Sequence, residues 1–136
     1  MVDGGRVPPS PGHPFDAIRD YRDLRVWTAA MDLAQDVYLV SAGFPRAERF
    51  GLTAQMRRAA VSVASNIAEG QARGSSADFL RFLAIAAGSL AELRTQLLLA
   101  ARLGYTAETH EAEIDDLAKK VTALRAAIRR KQVDGG

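Results

Sequence analysis

Between Ser75 and Leu103 the chain reads SSADFLRFLAIAAGSLAELRTQLLLAARL, free of proline and apolar at helical spacing. Phe79, Phe82, Ala86, Leu90, Leu93 and Leu97 recur every three or four residues, the interval at which side chains share one face of an α-helix. Ser75-x-x-Asp78 fits a capping box, so a helix is predicted from Ser75 or Ser76 to about Leu103. An apolar stripe of this length needs partners to cover it, and the flanking sequence supplies three segments of the same kind.

Upstream, Gly70 and Gly74 bracket a loop, and a second helix is predicted from Leu52 to Glu69 with Leu52, Met56, Ala60, Val63 and Ile67 inward. Gly43, Phe44 and Pro45 mark another loop. Before it lie two adjacent stripes, Leu24, Trp27, Met31, Ala34, Tyr38 and Ser41 beside Val26, Ala30, Leu33, Val37 and Val40. A face that wide implies more than one neighbour for this first helix. Downstream of Gly104, Ile114, Leu117, Val121, Leu124 and Ile128 mark a fourth helix. Short connections make sequential helices antiparallel neighbours. The expected fold is therefore all-α, an antiparallel up-down-up-down four-helix bundle over residues 22–131. Residues 1–21 contain four of the five prolines and are read as a disordered tail, and residues 132–136 as a disordered C-terminus.

Composition removes several function classes. The 136 residues are 48% hydrophobic, enough for one domain with its own core, and the absence of cysteine excludes thiolate zinc sites and disulfides. No uncharged run approaches the roughly 18 residues of a membrane span, and the first 20 residues lack the apolar stretch of a signal peptide. A cytoplasmic protein without a membrane partner is expected. A di-iron bundle needs two Glu-x-x-His pairs, but the histidines are only His13 and His110, and Ala107 stands three residues before the latter. Gly-x-Ser-x-Gly, Walker A and Gly-x-Gly-x-x-Gly are absent. No enzymatic activity, metal or cofactor is expected. His110, beside Glu111 and Glu113, is read as solvent-exposed, because one helical turn offers too few ligands.

The net charge of +2 hides an uneven distribution. Residues 1–45 sum to −2, whereas residues 46–81 hold six arginines against Glu48, Glu69 and Asp78. In the fourth helix, Lys119, Lys120, Arg125, Arg129, Arg130 and Lys131 follow Glu108, Glu111, Glu113, Asp115 and Asp116, an order that suits the helix dipole. Asp115–Lys119 and Asp116–Lys120 are spaced to pair, so helix stabilisation accounts for most of that cluster. Arg57 and Arg58 have no acid three or four residues away; they are either satisfied across the bundle, for example by Asp32 or Asp36, or face an anion. Arg73 and Arg81 have Glu69 and Asp78 at pairing distance, and Gly74-Ser75-Ser76 between them opens a helix N-terminus, which favours phosphate. Arg57, Arg58, Arg73 and Arg81 are thus the candidate phosphate contacts. A polar seam, Gln55, Ser62, Asn66 and Glu69 with Ser89, Glu92 and Gln96, is either a hydrogen-bonded layer that fixes helix register or a subunit seam or ligand groove.

These residues resemble a known family. Arg22-Asp23-Leu24-Arg25-Val26-Trp27 with Val37-Tyr38, Gln55-Met56-Arg57-Arg58-Ala59-Ala60, Ser62, Ser65-Asn66-Ile67-Ala68-Glu69-Gly70, Phe79-Leu80-Arg81-Phe82-Leu83, Gly88-Ser89-Leu90-Ala91-Glu92-Leu93 and Leu103-Gly104-Tyr105 carry the likeness. The chain looks like the bacterial four-helix-bundle proteins encoded in 23S ribosomal RNA intervening sequences, over residues 20–131. Their superfamily includes the accessory variability determinants of diversity-generating retroelements. The resemblance implies a non-enzymatic bundle that assembles as a ring, commonly a homopentamer, with basic surfaces for RNA or DNA. In retroelement members it also implies a reverse transcriptase partner. By position, Arg57, Arg58, Asn66, Glu69, Arg81 and Glu92 match the family's polar residues. Ala64 departs from the pattern, standing where many members have proline and a kink. The leading expectation is an oligomeric nucleic-acid-binding bundle, and the competing one a protein-interaction scaffold.

Overall fold

The computed structural model describes Tyr21 and residues 24–135. Four α-helices make up the fold: α1 (Arg25–Ser41), α2 (Leu52–Ala72), α3 (Ser76–Arg102) and α4 (Glu111–Gly135), with a 3₁₀ turn at Arg46–Glu48. No strand occurs among the described residues. Each helix packs on two others, in the order α1–α2–α3–α4 and back to α1, with α2–α3 the most extensive pairing and α1–α4 the sparsest.

One of the two α1 stripes forms the core. Val26, Ala30, Leu33 and Val37 are buried, together with Met56, Val63 and Ile67 of α2, Leu83, Leu93 and Leu97 of α3, and Ile114, Leu117 and Val121 of α4. The other stripe keeps Leu24, Ala34 and Ser41 buried but leaves Met31 and Tyr38 exposed. Beyond it Tyr21, the last residue of the expected tail, sets its ring edge-on to Trp27 at 5.2 Å. The remainder of that tail, residues 1–20, lies outside the described residues.

Helix ends follow local chemistry. The Ser75 hydroxyl accepts the Asp78 N–H at 3.1 Å, the cap expected for α3. The start of α2 is held by Glu48, whose Oε1 accepts the Leu52 N–H at 3.0 Å while Oε2 accepts the Tyr105 hydroxyl at 2.9 Å. Gly74 and Gly104 turn the chain at φ +80° and +79°, conformations other residues adopt only with strain.

Two boundaries differ from expectation. α2 does not stop at Glu69 but continues to Ala72, and Gly70, expected in a loop, is a buried helical residue. Its bare Cα serves close packing: a Cβ there would stand 2.7 Å from Phe82 Cβ and 3.1 Å from Phe79 Cδ1. α4 runs through Gln132–Gly135, where a disordered C-terminus was expected, since nothing before Gly135 breaks a helix. α2 passes through Ala64 without interruption. By length and composition α3 is long and apolar enough to cross a membrane, but its apolar stripe is buried in the core.

Candidate nucleic-acid interface

The most extensive helix pairing, α2 on α3, brings three of the seven seam residues together. Ser62 Oγ and Ser89 Oγ share a hydrogen bond of 2.8 Å across α2 and α3. Asn66 Nδ2 donates to the Ser62 carbonyl at 2.8 Å and to its hydroxyl at 3.0 Å, so three polar residues satisfy one another at a half-buried site. The rest of the seam lies apart. Gln55 is exposed, Glu69 pairs with Arg73, and Glu92 accepts a hydrogen bond from Gln96 Nε2 at 3.2 Å.

The four candidate arginines occupy two places rather than one. Arg57 and Arg58 sit near the start of α2, and Arg73 follows its end; at about 1.5 Å per residue that separates them by roughly 23 Å. Arg57 Nε donates to Ser41 Oγ at 2.9 Å, and its Nη2 donates to the Tyr38 carbonyl at 3.3 Å. Its guanidinium also lies 4.6 Å from the Tyr38 ring centroid. Neither Asp32 nor Asp36 meets it; the partner is the C-terminal turn of α1, the negative end of that helix's dipole. Arg58 is exposed and pairs with no described residue.

Arg73 and Arg81 meet over Phe82, with guanidinium carbons 5.1 and 4.5 Å from the ring centroid. Each also holds a surface ion pair, Arg73 with Glu69 at 3.0 Å and Arg81 with Asp78 at 3.3 Å. Exposed pairs of this kind are worth about 0–1 kcal/mol. In α4, Lys120 pairs with Asp116 as expected. Asp115 does not pair with Lys119; it binds Arg94 of α3 at 2.6 Å, because that neighbouring helix brings a guanidinium into reach.

His110 is not the solvent-exposed residue expected. Its side chain is 18% exposed, its backbone adopts φ +54°, and Nδ1 lies 3.0 Å from Glu113 Oε2. Its N–H donates to Glu108 Oε1 at 2.8 Å, and its carbonyl accepts the first hydrogen bond of α4 from Ile114. Asp36 of α1 completes a cluster with these two side chains. Burial first, then the Asp36 carboxylate, pushes the Glu113 carboxyl above its ordinary range, and His110 pulls it partly back. Sequence spacing gave no signal for the Asp36 contribution.

The surface also carries an apolar feature that no single residue announces. Trp27, Met31, Tyr38, Val61 and Ala64 line an open groove of about 470 Å³ between α1 and α2. The doubled stripe of α1 was its only sequence signal. On α3, Ile85, Leu98, Leu99 and Leu103 are likewise exposed. Among known proteins, a family model described as 23S rRNA-intervening sequence protein matches residues 22–127. No curated protein matches the chain.

Proposed function

The chain belongs to the 23S rRNA-intervening sequence protein family, and from that membership we propose a non-enzymatic, homo-oligomeric bundle that binds nucleic acid, RNA in the first instance, through arginines. The observation that carries this is the state of the arginines. Arg58 is exposed without a described partner, and Arg73 and Arg81 hold only exposed ion pairs around Phe82. Arg57, already bonded to α1, contributes charge beside Arg58. Two basic positions roughly 23 Å apart suit the backbone of a folded RNA better than a single small anion.

Self-association is supported by apolar surface that one copy leaves uncovered, the α1–α2 groove and the α3 residues Ile85, Leu98, Leu99 and Leu103. A ring multiplies these positions, and a pentamer in which each subunit turns two such arginines to RNA would present about ten. Within each subunit, packing between consecutive helices joined by short connections supports the antiparallel up-down-up-down order. The same apolar surface favours a second reading, a scaffold that docks a protein such as a reverse transcriptase.

Fluorescence anisotropy with a structured RNA tests the first reading. Affinity is expected to fall about a thousandfold between about 50 and about 200 mM salt if six or more phosphates are engaged. Combined Arg58→Ala, Arg73→Ala and Arg81→Ala substitutions should abolish most of the binding and leave helicity intact. Failure to bind at low salt, or unchanged binding by the triple variant, defeats it. Salt-insensitive capture of a protein partner without RNA favours the scaffold. Light scattering that finds only monomer removes the multivalent ring from both readings.

A further inference from the structure

We propose that Asp36, His110 and Glu113 form a binding site for a divalent transition-metal ion, and that the bound ion clamps α4 to α1. One imidazole and two carboxylates suit Zn²⁺, which takes nitrogen and oxygen donors and keeps a fourth position for water in three-ligand sites. One donor atom from each residue lies within 4.8 Å of the other two. Metal bonds of about 2.0–2.2 Å place neighbouring donors roughly 3–4 Å apart, so side-chain rotation is enough to close the set. His110 Nδ1 and Glu113 Oε2, at 3.0 Å, already have that spacing.

The local charge balance points the same way. Two carboxylates converge here, yet no described lysine or arginine forms an ion pair with either. Their neighbours on α4 are compensated: Arg94 reaches Asp115 at 2.6 Å and Glu111 at 3.8 Å, and Lys120 serves Asp116. A like-charge pair whose described cationic neighbour is an imidazole, charged only when protonated, is costly in a half-buried place unless a proton or a metal ion joins it. All three residues are half-buried rather than sealed, which leaves an entry path for an ion. The expectation of no metal rested on ligands drawn from one helical turn. Asp36, from the opposite end of the sequence, is the donor that changes it.

The clamp also falls where the bundle is loosest, because α1 and α4 form its sparsest pairing. Thermal unfolding of the full chain, stripped with a chelator and then given about 100 µM ZnCl₂ or MgCl₂, tests the site. Zinc is expected to raise Tm by roughly 5–10 °C and magnesium to leave it unchanged. The zinc shift should vanish in Asp36→Asn and in His110→Asn, the latter chosen because asparagine tolerates the positive φ of residue 110. Cobalt(II) should give a visible ligand-field band in the parent protein that both variants lack. A zinc shift that survives in His110→Asn belongs to adventitious sites such as His13 and overturns the proposal. So does an equal shift with magnesium, and so does no shift with any ion, which leaves a shared proton as the occupant.

Discussion

Where α2 meets α3, Gly70 lets Phe82 and Phe79 press against bare helix backbone, and Ser62, Ser89 and Asn66 close a neutral hydrogen-bond network beside them. Where α1 meets α4, the packing is sparser and an imidazole and two carboxylates fill the space. Close approach admits only small side chains whose polar groups satisfy one another, since a charge there would be stripped of water without room for a partner. The looser pair tolerates ionisable groups, and with them a dependence on pH and on bound ions. One bundle thus has a rigid seam and an adjustable one.

The rigid seam makes the largest prediction. Gly70→Val places two methyl groups where a single Cβ would already stand 2.7 Å from Phe82 Cβ, so unfolding free energy should fall by about 3 kcal/mol in urea titration. A loss under about 0.5 kcal/mol would mean that α3 slides aside, and the contrast between the seams would collapse. Ser62→Ala should cost about 1 kcal/mol, because it strands the Ser89 hydroxyl and removes an acceptor from Asn66. Adding Ser89→Ala should cost less than a second independent loss, the signature of coupling in a double-mutant cycle. Strict additivity would show that the 2.8 Å contact carries no energy.

The same contrast explains what the sequence could convey. Ser75-x-x-Asp78 and the Phe79–Leu97 stripe are local, and the helix and its cap follow from them directly. Of the two α1 stripes, periodicity alone could not choose which is buried. That depends on Ala30, Leu33 and Val37 facing the core between α2 and α4 while Met31 and Tyr38 border an open groove. Gly70 was misplaced because glycine ends helices and also permits close packing between them, and only the position of Phe82 separates the two uses. Ser62 and Ser89 were legible as members of one polar layer. Asp36 was not legible with His110, because their encounter depends on how α1 and α4 pack. The partner of Arg57 escaped for a different reason. Its acceptors are Ser41 Oγ and a main-chain carbonyl, and a carbonyl leaves no mark in a list of charges.

The smallest effect belongs to the adjustable seam and sets its sign. Glu113 holds its proton more tightly in the folded protein than at the ordinary value of 4.5, chiefly through burial and then through Asp36. The folded state therefore binds more protons than the unfolded one as pH rises above about 4.5, and stability falls through the raised folded value. At neutral pH the metal-free protein bears the cost of the second carboxylate. Glu113→Gln removes that charge, so in chelator the variant should be more stable at pH 7, by up to about 0.5 kcal/mol after solvent screening. The advantage should disappear below pH 4.5, where Glu113 is neutral in both states. Zinc should invert the order at pH 7, because it gives the parent carboxylate a cation that the amide cannot hold as well. If the parent is instead the more stable protein in chelator, His110 alone balances the two acids, and α1–α4 is no more adjustable than α2–α3.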